Sequence, residues 1–229
     1  MILTLAAALA AAQPAAAGCP DVVTSEAFVC RALEASRSGR HEESARAFEQ
    51  AALAASEKDP ATARMWAAAG NMWIAAGHAG KAAYALDKAL SLPGLQAEQR
   101  GEALLDRARA AEVQNDLKTA RAKVNEAAQT ISADPFLWYF SAALAIREND
   151  PATAKAAINR ALVLAPNDPT VLFEAGHVAH FSGDLAAARD YWTRAAAADP
   201  GGPSGKAARE ALALLARPQP VQSPAGTTK

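Results

Sequence analysis

The sequence predicts an all-α solenoid of about five helix-turn-helix repeats closed by a C-terminal capping helix, and three observations lead there. Residues 135–168 and 169–202 superpose without a gap at a period of 34, placing Ala154 over Ala188, Ala161 over Ala195 and Pro166 over Pro200. Five turn residues, Gly39, Gly77, Asn115, Asn149 and Gly183, recur at spacings of 38, 38, 34 and 34. Gly and Asn best tolerate the left-handed backbone that ends a helix, so each marks a point where the chain doubles back. Alanine supplies 64 of the 229 residues, so the 51% hydrophobic content reflects small helix formers suited to close packing.

Residues 1–17 carry an apolar run from Ile2 to Ala12, then Pro14 and the small residues Ala15-Ala16-Ala17. This reads as a secretory signal peptide cleaved after Ala17, with the amino terminus alone supplying the positive charge that Lys or Arg usually provides. The run is too short to span a bilayer and no other apolar stretch of that kind follows, so the chain is expected not to be transmembrane. Residues 18–24 form a leader holding Cys19, with Cys30 in the first helix. Three states are open to the pair. A disulfide would constrain the unfolded chain by about 2 to 3 kcal/mol. Alternatively Cys19 is lipidated, since Ala16-Ala17-Gly18-Cys19 resembles a lipobox with Ala in place of Leu, or both thiols are unpaired.

The solenoid is expected over 25–217, with repeats at about 25–58, 63–96, 101–134, 135–168 and 169–202 and a cap at 203–217. The first repeat places Phe28, Ala32 and Ala35 on one face and Ser44, Phe48 and Ala51 on the next helix. The second carries Trp66-x2-Ala69-Gly70-x2-Trp73 and, after its turn, Ala82-x3-Leu86. Gly70 is expected to let the facing helix approach while the two Trp side chains fill the flanks, and Gly176 occupies the same role in the fifth repeat. The third repeat lacks an aromatic anchor and keeps its face with Leu104, Ala108 and Ala111. The wider spacing of the first turns predicts longer loops at those junctions. In the cap, Ala208, Ala211, Leu212, Leu214 and Leu215 fall toward one side, as a solenoid end requires. Residues 218–229, rich in Pro, Gly, Ser and Thr, are expected to be a disordered tail.

These units are similar to the tetratricopeptide repeat, whose W-x2-L-G-x2-Y and A-x3-F positions the second repeat nearly reproduces, and the leader points to an exported bacterial type. The resemblance implies a right-handed superhelix in which the first helix of each repeat turns one face into a groove. Carried onto this sequence, that face holds Glu26, Val29, Leu33 and Arg37, then Arg64, Ala67, Asn71 and Ile74, then Glu102, Leu105, Arg109 and Glu112. It continues with Phe136, Tyr139, Ala143, Ile146 and Arg147, and ends with Thr170, Phe173, His177, His180 and Phe181. The candidate partner-binding residues are Asn71, Arg109, Phe136, Tyr139, Arg147, Phe173, His177, His180 and Phe181. Members of the family that bind chaperones clamp a peptide's terminal carboxylates with Lys, Asn and Arg; here only Asn71 is in place, with Val29, Leu33 and Ala75 at other clamp positions. An apolar segment anchored on aromatic rings fits better.

A net charge of −1 and interspersed Lys, Arg, Asp and Glu give no field to attract a polyanion, so nucleic acid is not an expected partner. His177-x2-His180 shares a helix face but has no third ligand beyond Glu174, which argues against a metal site. Phosphate-binding Gly-rich loops and nucleophile elbows are missing from the sequence, and no cofactor or catalytic set is expected. The expected function is a non-catalytic scaffold of the cell envelope that binds a peptide or protein segment in the groove. A structural subunit using its convex face is the alternative, with an enzyme or metal protein behind both.

Overall fold

The computed structural model describes residues 18–216; the predicted signal peptide, Arg217 and the predicted tail lie outside them. Among the described residues the chain forms eleven helices and no strand. They are α1 (Ser25–Arg37), α2 (His41–Ala54), α3 (Pro60–Ala75), α4 (Ala79–Ser91), α5 (Ala97–Val113), α6 (Leu117–Ala127), α7 (Pro135–Arg147), α8 (Pro151–Leu164), α9 (Pro169–Phe181), α10 (Leu185–Ala198) and α11 (Pro203–Leu215). Packing runs between consecutive helices and also between α3 and α5, α7 and α9, and α9 and α11, so five hairpins stack in chain order with α11 closing the end. None of these helices is long and apolar enough to cross a membrane.

One turn geometry recurs five times. Gly39, Gly77, Asn115, Asn149 and Gly183 have φ of +70°, +79°, +60°, +57° and +79°. The residue after each donates its N–H back to the first helix: Arg40 to Ala35, His78 to Trp73, Asp116 to Ala111, Asp150 to Ala145 and Asp184 to Ala179, each at 2.9 Å. This is the bond that satisfies a carbonyl left orphaned at a helix end. Aspartates then start the next helix. Asp116, Asp150 and Asp184 accept N–H bonds from Thr119, Thr153 and Ala187, while Asp59, Asp134 and Asp168 cap α3, α7 and α9 with Pro at the first helical position.

The Asp-Pro starts also correct the expectation of longer loops. The residues that widen the first two turn spacings mostly lengthen helices: α3 has 16 residues and α5 has 17, against 13 in α7 and α9. Asp59-Pro60 opens α3 early because Pro, with its fixed φ and missing N–H, suits the first turn, and Ala61, Thr62 and Ala63 then add most of a turn.

Hydrogen bonds from Thr153, above all, hold the Asp150 carboxyl below its ordinary value of 3.8, and those from Thr119 do the same for Asp116. A depressed carboxylate stabilises the fold above its unfolded pKa and loses that contribution as pH falls through the folded value. The melting temperature is therefore expected to fall as pH drops below about 4, and Asp116→Asn with Asp150→Asn is expected to flatten part of that fall. Thermal melts from about pH 6 down to about pH 2.5 test this; equal slopes in the two proteins would remove the caps from the account.

The interior is built where small residues meet large ones. A Cβ at Gly70 would overlap the Leu86 side chain of α4, and one at Gly176 would overlap the Trp192 indole of α10. Trp73 is fully buried and its Nε1 donates to Glu49 at 2.8 Å, while Trp66 lies edge-on to Tyr84. Ser44, placed where the repeat carries Ala, is buried because its hydroxyl donates to the Ala32 carbonyl at 2.8 Å. In the third repeat Leu104, Val124 and Ile131, packed with Leu137 of α7, take the place of an aromatic anchor. At the next junction Arg121 of α6 donates to Glu148 and to the hydroxyl and carbonyl of Ser141, joining α6 to α7. In the cap, Ala208 is buried and Ala211, Leu212 and Leu215 pack against Leu172 and Trp192, but Leu214 is 59% exposed, contrary to its expected inward side.

Cys19 and Cys30 are joined by a disulfide, with Cα atoms 5.6 Å apart. Arg31 reinforces the tie through bonds to the carbonyls of Pro20 and Val22. With both sulfurs engaged, neither carries a thioether.

Candidate partner-binding groove

The first helices of successive hairpins lie side by side, as the bonds between them show. Asn71 of α3 donates to Asp106 of α5 at 2.8 Å, Arg147 of α7 donates to the Glu112 carbonyl of α5 at 2.9 Å, and Thr170 of α9 lies 3.1 Å from Ser204 of α11. Their common face carries the candidate residues, none of which is buried in the core. Leu105, also expected there, is instead 4% exposed beside Leu104 in the third-repeat core. Without an aromatic anchor, this repeat fills its interior with both leucines.

Three clusters result. At the N-terminal end, Asn71 stands in a depression of about 410 Å³ with Leu33, Arg64, Ala67, Glu102 and Asp106. Burial first, then the charges of Glu98, Asp106 and Asp134, push the Glu102 carboxyl up. In the middle, Arg109 pairs with Asp106 at 2.9 Å and lies 5.5 Å above the Phe136 ring, which meets Tyr139 edge-on at 4.7 Å. Burial pushes the Tyr139 phenol up, opposed by Arg109 and assisted by Glu174 and Asp168. At the C-terminal end, Phe173 and His177 have ring centroids 4.3 Å apart, and His180 lies 5.8 Å from the Trp192 ring. His177, His180 and Phe181 line an apolar hollow of about 520 Å³ with Ile146, Trp192, Ala211, Leu214 and Leu215.

The sequence expectation of one aromatic groove is thus resolved into an acidic end, an aromatic centre and an apolar hollow. Arg147 is committed elsewhere: its guanidinium also bonds the Glu112 carboxylate and the Asn115 side chain, tying the tips of two hairpins together. Sequence reasoning missed Asp106, which pairs with both Asn71 and Arg109, and gave Glu174 no role in partner binding. The position of Asp106 three residues before Arg109 on one helix was an available signal.

Residues 142–213 match the family model described as tetratricopeptide repeat. The five stacked hairpins with their recurring turn carry the same helix-turn-helix fold through the described residues. No curated protein sequence matches the chain. Among solved structures it is similar to PilW, described as a widely conserved type IV pilus biogenesis factor, with 16% identity, a TM-score of 0.66 and coverage of 80% of this chain and 81% of that one. It is similar to YrrB, described as a TPR protein with an unusual peptide-binding site, with 15% identity, a TM-score of 0.59 and coverage of 82% and 91%. It is also similar to MamA, residues 41 to the end, from Desulfovibrio magneticus RS-1, with 16% identity, a TM-score of 0.64 and coverage of 77% and 95%. At these identities the likeness is one of fold.

Proposed function

We propose that the protein is a non-catalytic scaffold of the cell envelope that holds a peptide or protein segment along the concave face formed by α1, α3, α5, α7 and α9. The observation that carries this reading is the set of incompletely covered rings on that face. Phe136, Tyr139, Phe173, His177 and Phe181 are each only partly buried, although large apolar side chains on the hairpin interior are sealed. Rigid aromatic surface left open beside a hollow is where a partner's side chains gain most on desolvation. Support for the envelope comes from the leader sequence, from the disulfide, which suits an oxidising compartment, and from the similarity of fold to PilW. A second reading, attachment through the convex face, draws on Val163, 82% exposed on α8, and on the exposed Leu53 and Tyr84 of α2 and α4.

A photo-crosslinking amino acid placed at Tyr139 or at Val163 in cells separates the two readings. The expected result is an adduct from position 139 and none from 163, in the envelope fraction, on a chain whose mass begins at Gly18. Adducts only from position 163 would establish the convex reading, and a chain beginning at Met1 would overturn the export reading.

A further inference from the structure

Glu174 is a side chain on the groove face whose chemistry the fold leaves unused. It sits on α9, four residues after Thr170 and three before His177, on the same side of the helix as His177 and Phe181. Only 8% of it is exposed, its carboxylate oxygens keep contact with solvent, and among the described residues no hydrogen bond reaches them. The nearest candidate is Nδ1 of His177, 3.7 Å from Oε2, which pairs as an ion only when the imidazole is protonated. A carboxylate with no hydrogen bond of its own keeps its acceptor capacity open to a cation that reaches it from the groove. The fold does not require an acid here. One repeat earlier, 34 residues back, the same position is Phe140, which is buried in the hydrophobic core.

We propose that Glu174 anchors a cationic side chain, lysine or arginine, of the segment bound in the groove, with the rings of Tyr139, Phe173 and His177 flanking that cation. A carboxylate beneath aromatic faces is complementary to an ammonium or guanidinium on two counts: it supplies the counter-charge, and the π faces attract the same cation. Tyr139 lies close enough to feel the Glu174 charge, and Phe173 stacks on His177 beside it. The rest of the face is mixed in sign, with Arg37, Arg64, Arg109 and Arg147 set among its acids. Glu98, Asp106 and Asp134 gather around Glu102 of α5, where Arg109 pairs with Asp106; among the described residues, Glu98 and Glu102 have no basic partner within 4.0 Å.

This inference rests on the groove reading, and the test keeps the two apart. A random peptide library displayed on phage is panned against the protein, and the captured peptides are synthesised and titrated against wild type, Glu174→Gln and Tyr139→Ala. Captured peptides are expected to share a Lys or Arg at one position and to bind Glu174→Gln about tenfold or more weakly. The melting temperature of Glu174→Gln is expected to be unchanged, because no hydrogen bond of the fold is lost with the charge. Captured peptides without a basic residue, equal affinity for Glu174→Gln, or a lowered melting temperature in that variant would each overturn the anchor. Peptides that depend on Tyr139 but not on Glu174 would leave the groove reading standing, whereas indifference to Tyr139→Ala, or a library that yields no peptide, would overturn both.

Discussion

Gly176→Leu is expected to destabilise the C-terminal hairpin by about 1 to 3 kcal/mol, toward the upper end of the overpacking range. Even a methyl group at this position overlaps the Trp192 indole. That ring has nowhere to go: it is 4% exposed, its Nε1 donates to the Phe173 carbonyl at 3.1 Å, and it packs among Leu172, Ala188, Ala195 and Ala208. Admitting leucine means expelling a rigid bicycle from a close-packed site and breaking its hydrogen bond. Gly70→Leu meets a more compliant neighbour, since Leu86 has side-chain torsions that can readjust, and is expected to cost less. In a stacked-repeat protein each hairpin touches only its neighbours, so the damage should stay local. Hydrogen exchange is therefore expected to accelerate in α9, α10 and α11 of Gly176→Leu while α1 to α4 stay protected. Denaturant melts and exchange profiles indistinguishable from wild type would show that Gly176 does not lie in this contact.

Features fixed by a single residue type were legible in the sequence. The five turns needed positive φ, and only Gly and Asn stood at the right intervals, so the residue pattern alone places the hairpins. Gly70 and Gly176 could likewise be read as close contacts because both fall at the small-residue position of the first helix of a repeat. The loop expectation failed because Asp59-Pro60 opens α3 early and Gln99, accepting from the Gln96 N–H, opens α5 early, and only the helix lengths show which side gained residues. Leu105 was misplaced by a single step, since Leu104 and Leu105 are equally apolar and nothing local distinguishes inward from groove-facing.

Contacts between hairpins were the least legible. Arg121 reaches Ser141 and Glu148, 20 and 27 residues away, and the bond exists only because α6 and α7 happen to bring a guanidinium, a hydroxyl and a carboxylate together. Glu174 reads in sequence as an ordinary helix-surface acid. Its lack of a donor becomes visible only when the neighbours on α7 and α9 are in place. The groove itself was legible as a row of aromatic positions, but its division into acidic, aromatic and apolar stretches depends on pairings such as Asp106 with Asn71, which spans adjacent hairpins.

Tyr139→Ala combined with Phe173→Ala is expected to abolish segment binding while leaving the helical fold in place. Each ring is only partly covered, Tyr139 beside Phe136 on α7 and Phe173 beside His177 on α9, so truncation leaves less of a void than removal of a sealed core residue. The folding cost is about 1 to 2 kcal/mol per site, within the ordinary range for a point substitution. Binding is more sensitive, because aromatic anchors at the centre of an interface commonly carry about 2 to 4 kcal/mol each, and losing two takes a micromolar complex beyond detection. The contrast with Trp73→Ala fixes the interpretation. Trp73 is wholly buried, and its removal is expected to cost about 3 to 5 kcal/mol of stability with no direct effect on the groove. Circular dichroism melts beside titrations of a captured peptide give both quantities. A double variant that unfolds like Trp73→Ala would assign Tyr139 and Phe173 to the interior. One that folds and binds undiminished would move the interface off the aromatic face, toward Val163 and the outer helices.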